Sequence, residues 1–296
     1  MIPAAIPSPS SNGIQLGPLL LHAYGLAYAV AVTAAVLVAS RRWRAQGGSP
    51  QLVHEVALWG FPAGIVGGRL YFLATSWNLV PPHWWGPFAI WKGGLGIWGG
   101  IAGGAAGGIW VLHRRKADIP AFMDVAAPAL LVAQAIGRIG NWFNQELFGG
   151  PTSLPWGLRI DPAHRPAGYE RFATFQPTFL YELIWNLALA AFLVALGKRR
   201  RVAPPGLFAL YVAGYSGFRI FEELLRVDPA HHVLGMRLNF WVACIGCAAG
   251  LAWFARIQRR AGAEPPTRSR RGPVALGVAF AALVLSGCAH SGHALL

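Results

Sequence analysis

AAPALLVAQAIGRIGNWFNQELFG, residues 126–149, begins as an apolar run and then places an arginine, two asparagines, a glutamine and a glutamate within nine positions. The first half reads as part of a lipid-facing or buried helix. The second half is costly beside hydrocarbon unless partners or water meet it, so ionisable residues in such a place are functional candidates by default. The surrounding chain is of the same kind. It has 296 residues, 55% hydrophobic and 12% charged, with 13 Trp and 37 Gly. A soluble domain carries about 25% charged residues, and aromatic anchors and glycines are frequent in spanning helices. The composition indicates an integral membrane protein.

Apolar runs lie at 14–39, 52–74, 88–112, 120–137, 176–197, 205–222, 239–255 and 273–287. A spanning helix needs about 20 residues, which the first seven runs supply, while the eighth is short. The formal charge of +14 is concentrated at Arg41–Arg44, Arg114–Lys116, Lys198–Arg201 and 256–271, after the first, third, fifth and seventh runs. The positive-inside rule then places the N-terminus outside and these loops in the cytoplasm. The same charges can attract anionic headgroups. Residues 1–17 contain no basic residue ahead of the first run and do not read as a cleavable signal peptide.

The expected fold is all-α, a polytopic membrane bundle of seven transmembrane helices with a short eighth apolar segment at the C-terminus. The seven-span domain covers 1–260, with an extracytoplasmic loop at 150–175. A basic cytoplasmic linker follows at 261–272, and 273–296 is an apolar segment ending in the lipobox-like Leu285-Ser286-Gly287-Cys288. That segment would run outward and present Cys288 as a substrate in cis or a tethered mimic; the plainer reading is a hydrophobic anchor. Cys244 and Cys247 fall inside the seventh run and read as small apolar side chains rather than a redox or metal pair.

Most ionisable residues in or at the spans fall on the expected outer half: Arg69, Lys92, Arg138, Glu146, Glu182, Arg219, Glu222, Glu223 and Arg226; His54 and Glu55 lie at the inner end. Arg219, Glu223 and Arg226 are spaced i, i+4 and i+7, so one helix face carries them together with Tyr215. Either the row neutralises itself against other helices or it faces something anionic. Arginine is suited to forked recognition of phosphate, and a phospholipid phosphate is the nearest anion. In the glycine-rich stretch 91–108, Gly99 to Gly108 read mainly as close helix packing, with Lys92-Gly93-Gly94 at the outer edge as a site loop. The histidines lack ligand spacing, no nucleotide fingerprint is present, and neither metal, cofactor nor nucleic acid is expected.

Gly137, Arg138, Gly140, Asn141, Asn144, Glu146 and Gly149 fit the pattern G-R-x-G-N-F-x-N-x-E-x-x-G, and the chain thereby resembles the bacterial prolipoprotein diacylglyceryl transferases. Tyr24-Gly25, Gln176-Pro177-Thr178 with Tyr181-Glu182, and Tyr215, Arg219, Glu223 and Arg226 resemble further motifs of that family over about residues 10–260. The resemblance implies transfer of a diacylglyceryl group from phosphatidylglycerol to the lipobox cysteine of a preprolipoprotein, with a thioether as product and glycerol phosphate as leaving group. It implies a multi-pass enzyme of the bacterial plasma membrane with its site toward the outer face. The partners implied are phosphatidylglycerol, membrane lipid and preprolipoprotein signal peptides. Arg138, Arg219, Glu223, Glu146 and Tyr24 are implied as catalytic. Asn141, Asn144, Gly149, Tyr181, Glu182, Tyr215, Arg226, Lys92, Gly93 and Gly94 are implied as substrate-binding.

Two positions depart from the family pattern: Trp98 stands where many members carry a histidine, and Lys92 replaces an acidic residue. Activation of the thiol would then fall to Glu223 or Glu146, or to the field of Arg138 and Arg219. An inactive relative that binds anionic lipid and an anion transporter are the alternatives. The second predicts charge at both faces and a repeated half, neither of which the sequence shows.

Overall fold

Glycine governs how the first helices pack. In the computed structural model, which describes residues 5–16 and 19–263, α2 (Pro50–Thr75) lies antiparallel on α3 (Ile97–Arg114), backbone against backbone. A Cβ on Gly99 would sit 2.0 Å from the Gly67 carbonyl oxygen, and one on Gly103 2.3 Å from that of Ala63. Only hydrogen fits at such a crossing, the close approach that small residues allow between membrane helices. The packing reading of Gly99–Gly108 therefore holds.

Five further helices complete the seven found among the described residues: α1 (Ala23–Arg44), α4 (Ile119–Asn144), α5 (Thr178–Arg199), α6 (Gly206–Leu225) and α7 (Leu238–Gly262). Helices α1, α2, α4, α5 and α7 are long and apolar enough to cross a membrane. α3 is diluted by six glycines, and α6 carries Arg219, Glu222 and Glu223. Their 18 and 20 residues still give lengths of about 27 and 30 Å at 1.5 Å per residue, near a hydrocarbon thickness of about 30 Å.

The helix bounds correct the sequence expectation at one place. The first apolar run is not all helix: Gly13–Leu16 pairs antiparallel with Leu19–His22, and α1 starts only at Ala23. Pro18 lacks the amide that a helix interior needs. Helix α4 continues into the polar stretch, through Arg138 to Asn144. The eighth segment, with Cys288, lies outside the described residues.

Partner contacts set the helix directions. Tyr24 packs on Gly140 and Trp43 on Phe122, so α1 runs against α4. Asp124 Oδ1 accepts the Phe208 amide at 2.9 Å and Gln134 donates to Tyr211 at 3.0 Å, so α6 runs with α4. Asp124 was missed by the sequence reading; it is a buried acceptor for the exposed amides of the α6 N-terminus. Gln258 bonds both the amide and the carbonyl of Ala203, which sets α7 against α6. The basic clusters therefore gather at one end of the bundle, and Arg69, Arg138, Glu182, Arg219 and Arg226 at the other.

The loop between α4 and α5 is a small cap over that second end. Leu158–Arg159 pairs with Thr174–Phe175, Ile6 bridges to Leu158, and Phe148, Leu158, Ile160 and Phe175 form its core. The central core of the bundle, Leu131, Leu193, Phe208, Tyr211, Val212 and Tyr215 among others, lies between α4, α5 and α6.

Candidate active site

At the C-terminal end of α4 the chain reverses through two left-handed residues, Gln145 (φ 52°) and Leu147 (φ 59°). Neither is glycine, and such residues mark places where surrounding structure holds a strained backbone. The hook returns Glu146 beneath the last turn, where its carboxylate accepts from Asn141 Nδ2 at 2.8 Å and Asn144 Nδ2 at 3.3 Å. Gln145 fixes the hook to the cap by bonding Asp161 in both directions, 2.6 and 2.8 Å. Gly149 and Gly150 then stitch it to neighbouring elements, through amide bonds to the Gln176 and Leu225 carbonyls of 2.9 and 2.8 Å. A Cβ on Gly149 would lie 2.7 Å from that of Gln176. Gly149 therefore serves close backbone packing at the rim of the site.

Arg138, one turn before Asn141, is 5% exposed and donates to Asn141 Oδ1 at 3.1 Å. Its Nη2 lies 2.5 Å from Glu182 Oε2. Arg219 of α6 approaches the same oxygen at 3.4 Å. Arg138 and Arg219, from separate helices, thus converge on one carboxylate oxygen supplied by α5. Arg219 also binds Glu222 at 2.5 Å, and Glu223. Glu223 accepts in addition from Arg226 at 3.5 Å and Arg237 at 2.7 Å. Asp228 closes the group, at 2.7 Å from Arg226 and 2.9 Å from Arg237. Burial alone would raise the Asp228 carboxyl, but its bonds to Arg226 and Arg237 and their charge outweigh this and hold it below the usual carboxylate range.

Four arginines and four carboxylates from α4, α5, α6 and the α6–α7 hairpin therefore form one buried network among the described residues. Within it, Arg237 and Asp228 went unrecognised in the sequence, and Glu222 was noted only as charged. A signal for Arg237 existed, since it precedes α7 at the end opposite the basic clusters and breaks the charge pattern that orders the other loops.

The other expected residues have further contacts of their own. Tyr24 touches the motif helix through Gly140, and its hydroxyl lies 3.5 Å from that of Tyr28. Tyr215 is buried in the central core beside Tyr211. Tyr181, in the first turn of α5, bonds the cap, donating to Gln176 at 2.6 Å and accepting from Trp156 at 3.0 Å. Lys92 is exposed with its Nζ 5.2 Å from the Trp85 ring centre. Gly93 and Gly94 instead offer their carbonyls to Arg69, both at 2.9 Å. The turn at Gly93 and Gly94 thus closes around a second buried arginine, Arg69. Trp98 begins α3 and is half-buried.

The sequence model of the prolipoprotein diacylglyceryl transferase family matches residues 12–256. The chain belongs to that family. Curated relatives named phosphatidylglycerol–prolipoprotein diacylglyceryl transferase include one from Frankia alni, 47% identical over 88% of this chain and 69% of its own length. One from Cutibacterium acnes is 48% identical over 87% and 88%. Another, numbered 2 in its name, from Streptomyces coelicolor, is 46% identical over 90% and 89%. The motif that opens the site, residues 137–149, lies inside the matched region.

Proposed function

We propose that this chain transfers the diacylglyceryl group of phosphatidylglycerol to a cysteine thiol of a prolipoprotein. The carrying observation is the convergence of Arg138 and Arg219, from separate helices, on Glu182 Oε2 beside the Asn141–Glu146 hook. In the reaction a sulfur–carbon bond forms at the glyceryl carbon that carries the phosphate, and the carbon–oxygen ester bond breaks. The electron pair moves onto the departing glycerol phosphate. Arg138 and Arg219 oppose that growing charge, and fixed donors aimed at developing charge are the largest single source of acceleration in many enzymes. Entry of the phosphate requires the guanidiniums to exchange carboxylate for phosphate oxygen, an exchange between ligands of like geometry.

Glu146 is the better proton acceptor of the two carboxylates considered. Glu223 already accepts from Arg219, Arg226 and Arg237, so its oxygens are occupied by guanidiniums. Glu146 receives hydrogen bonds from Asn141 and Asn144 and is only half-buried. Glu223 instead positions three arginines. All seven helices span the plasma membrane, with the basic clusters inside and the site toward the outer face.

Transfer of labelled phosphatidylglycerol to a lipobox peptide by the purified enzyme tests the reading. Glu146→Gln should lose turnover with little change in lipid affinity; equal turnover removes Glu146 as the base, and no transfer by the unaltered protein removes the reaction itself. Reporter fusions at the loops test the orientation.

A further inference from the structure

The network contains one carboxylate unlike the other three. Glu182 is held by Arg138, Arg219 and Asn186. Glu223 is held by three arginines, and Asp228 by two. Glu222 meets Arg219 through Oε2, while Oε1 is buried with no hydrogen-bond partner in a residue 1% exposed. A full negative charge left half-solvated in this way is unfavourable. Glu182 Oε2 and Glu222 Oε2 both contact Arg219 Nη1, at 3.4 and 2.5 Å, which brings the two carboxyl groups side by side. Two carboxyls that close cannot both ionise freely. Arg138 on α4, Asn186 on α5, Glu223 on α6 and Arg237 ahead of α7 are the other polar groups around the pair.

Charge balance gives the arrangement a purpose. With every carboxylate ionised, the four arginines are neutralised and a phosphodiester monoanion would enter as an excess charge. With one proton on the pair, the network carries one net positive charge, equal and opposite to the headgroup. We propose that the Glu182–Glu222 pair holds a proton in the phosphate-binding form of the enzyme, on Glu222 Oε1, so that binding of a phosphodiester is linked to protonation of this pair. The proposal rests on the phosphate reading of Arg138 and Arg219.

The consequence has a definite sign. A phosphodiester does not titrate near neutrality, so the linkage belongs to the protein. Affinity should be highest at low pH and fall, approaching tenfold per pH unit, once the free pair loses its proton. His231 and His232 on the adjoining hairpin are exposed and present in every variant, so the comparison is internal.

Titration calorimetry of the full chain in detergent, with dioctanoyl phosphatidylglycerol between pH 5.5 and 9, is the test. Glycerophosphoglycerol, the same phosphodiester without acyl chains, separates headgroup from lipid binding. The wild type should show the alkaline fall and, in two buffers of different ionisation enthalpy, uptake of up to one proton. Glu222→Gln, fixed in the neutral form, should bind tightly with no slope, and Glu222→Asp should restore the slope. A flat wild-type profile, a slope that survives in Glu222→Gln, or loss of binding by Glu222→Gln at all pH values overturns the proposal. The buffer comparison decides it in the wild type even if the variant does not fold. Unchanged binding by Arg219→Gln would remove the phosphate reading and this proposal with it. Dependence on Arg219 without a pH slope would remove this proposal alone.

Discussion

Two regions of this molecule bury an arginine at the same end of the bundle and treat it in opposite ways. Arg69 is 6% exposed and donates to four backbone carbonyls: Pro87 at 2.8 Å, Gly86 at 2.7 Å, and Gly93 and Gly94 at 2.9 Å each. No carboxylate is among these partners. Arg219 is 2% exposed and bonds the side chains of Glu182, Glu222 and Glu223. Carbonyls on a folded loop are fixed, and a guanidinium that satisfies several of them clamps the loop. Carboxylates on flexible stems from several helices can give way to another anion. The two arginines therefore differ in their acceptors rather than in burial.

Substitution should separate the two kinds sharply. Arg138→Gln or Arg219→Gln should cut transfer by about 10²–10³, the scale for loss of one oxyanion donor, while the protein still inserts. Radiolabel transfer normalised to folded protein checks this. Arg69→Met in the same assay should retain turnover per folded molecule but lose stability. Several hydrogen bonds from a charged donor disappear at once, at a cost of about 3 kcal/mol or more. The loss should appear as a lower melting temperature and faster proteolysis within 86–94. If Arg69→Met lost turnover as completely as Arg219→Gln without melting earlier, the distinction would fail.

Gly99→Ala tests the frame that carries the Arg69 clamp. Its new methyl would meet the Gly67 carbonyl at 2.0 Å, and overpacking of this kind costs about 1–3 kcal/mol, read by thermal unfolding in detergent. Asp228→Asn tests the rim of the other region, with an expected loss of about 1–2 kcal/mol at pH 7. The Asp228 carboxyl is held below its ordinary range. Its stabilisation is therefore complete above the unfolded value near about 3.9 and fades as pH falls through the lower folded value. The wild type should lose that increment in acid, and the variant should have none to lose. The smallest effect is expected for Trp98→Phe, with turnover within about threefold, because indole offers only a donor nitrogen and cannot act as base. A larger loss would mean that Trp98 positions substrate.

Parts of both regions could be read directly from the chain. The row Tyr215, Arg219, Glu223 and Arg226 follows from helical spacing, and the motif 137–149 stands out by polarity and by family resemblance. The ion pairs that Arg237 and Asp228 make were not legible. Both residues belong to a hairpin whose two short strands, His232–Val233 and Met236–Arg237, fold back against α6, and spacing along one helix says nothing about a side chain returning from the next element. The contact of Gly93 and Gly94 with Arg69 was hidden for a related reason. A lysine beside two glycines looks like a ligand loop, yet the backbone turns its carbonyls toward Arg69, and carbonyl direction depends on φ values of 83° and 76° at Gly93 and Gly94.

By itself the sequence determined the helical membrane character, the number of long apolar runs, the uneven distribution of positive charge and the family. Each of these depends on composition, periodicity or a local pattern, and survives without knowledge of neighbours. The tertiary structure decided which charges meet. Glu182 stands 37 residues from Arg219 in the chain and 3.4 Å from it in space. The same folding decided that Arg69 is answered by carbonyls, and that Glu222 keeps one oxygen without a partner. Electrostatic and hydrogen-bond energies depend on distance and direction between groups, and those are fixed only when helices far apart in sequence pack together.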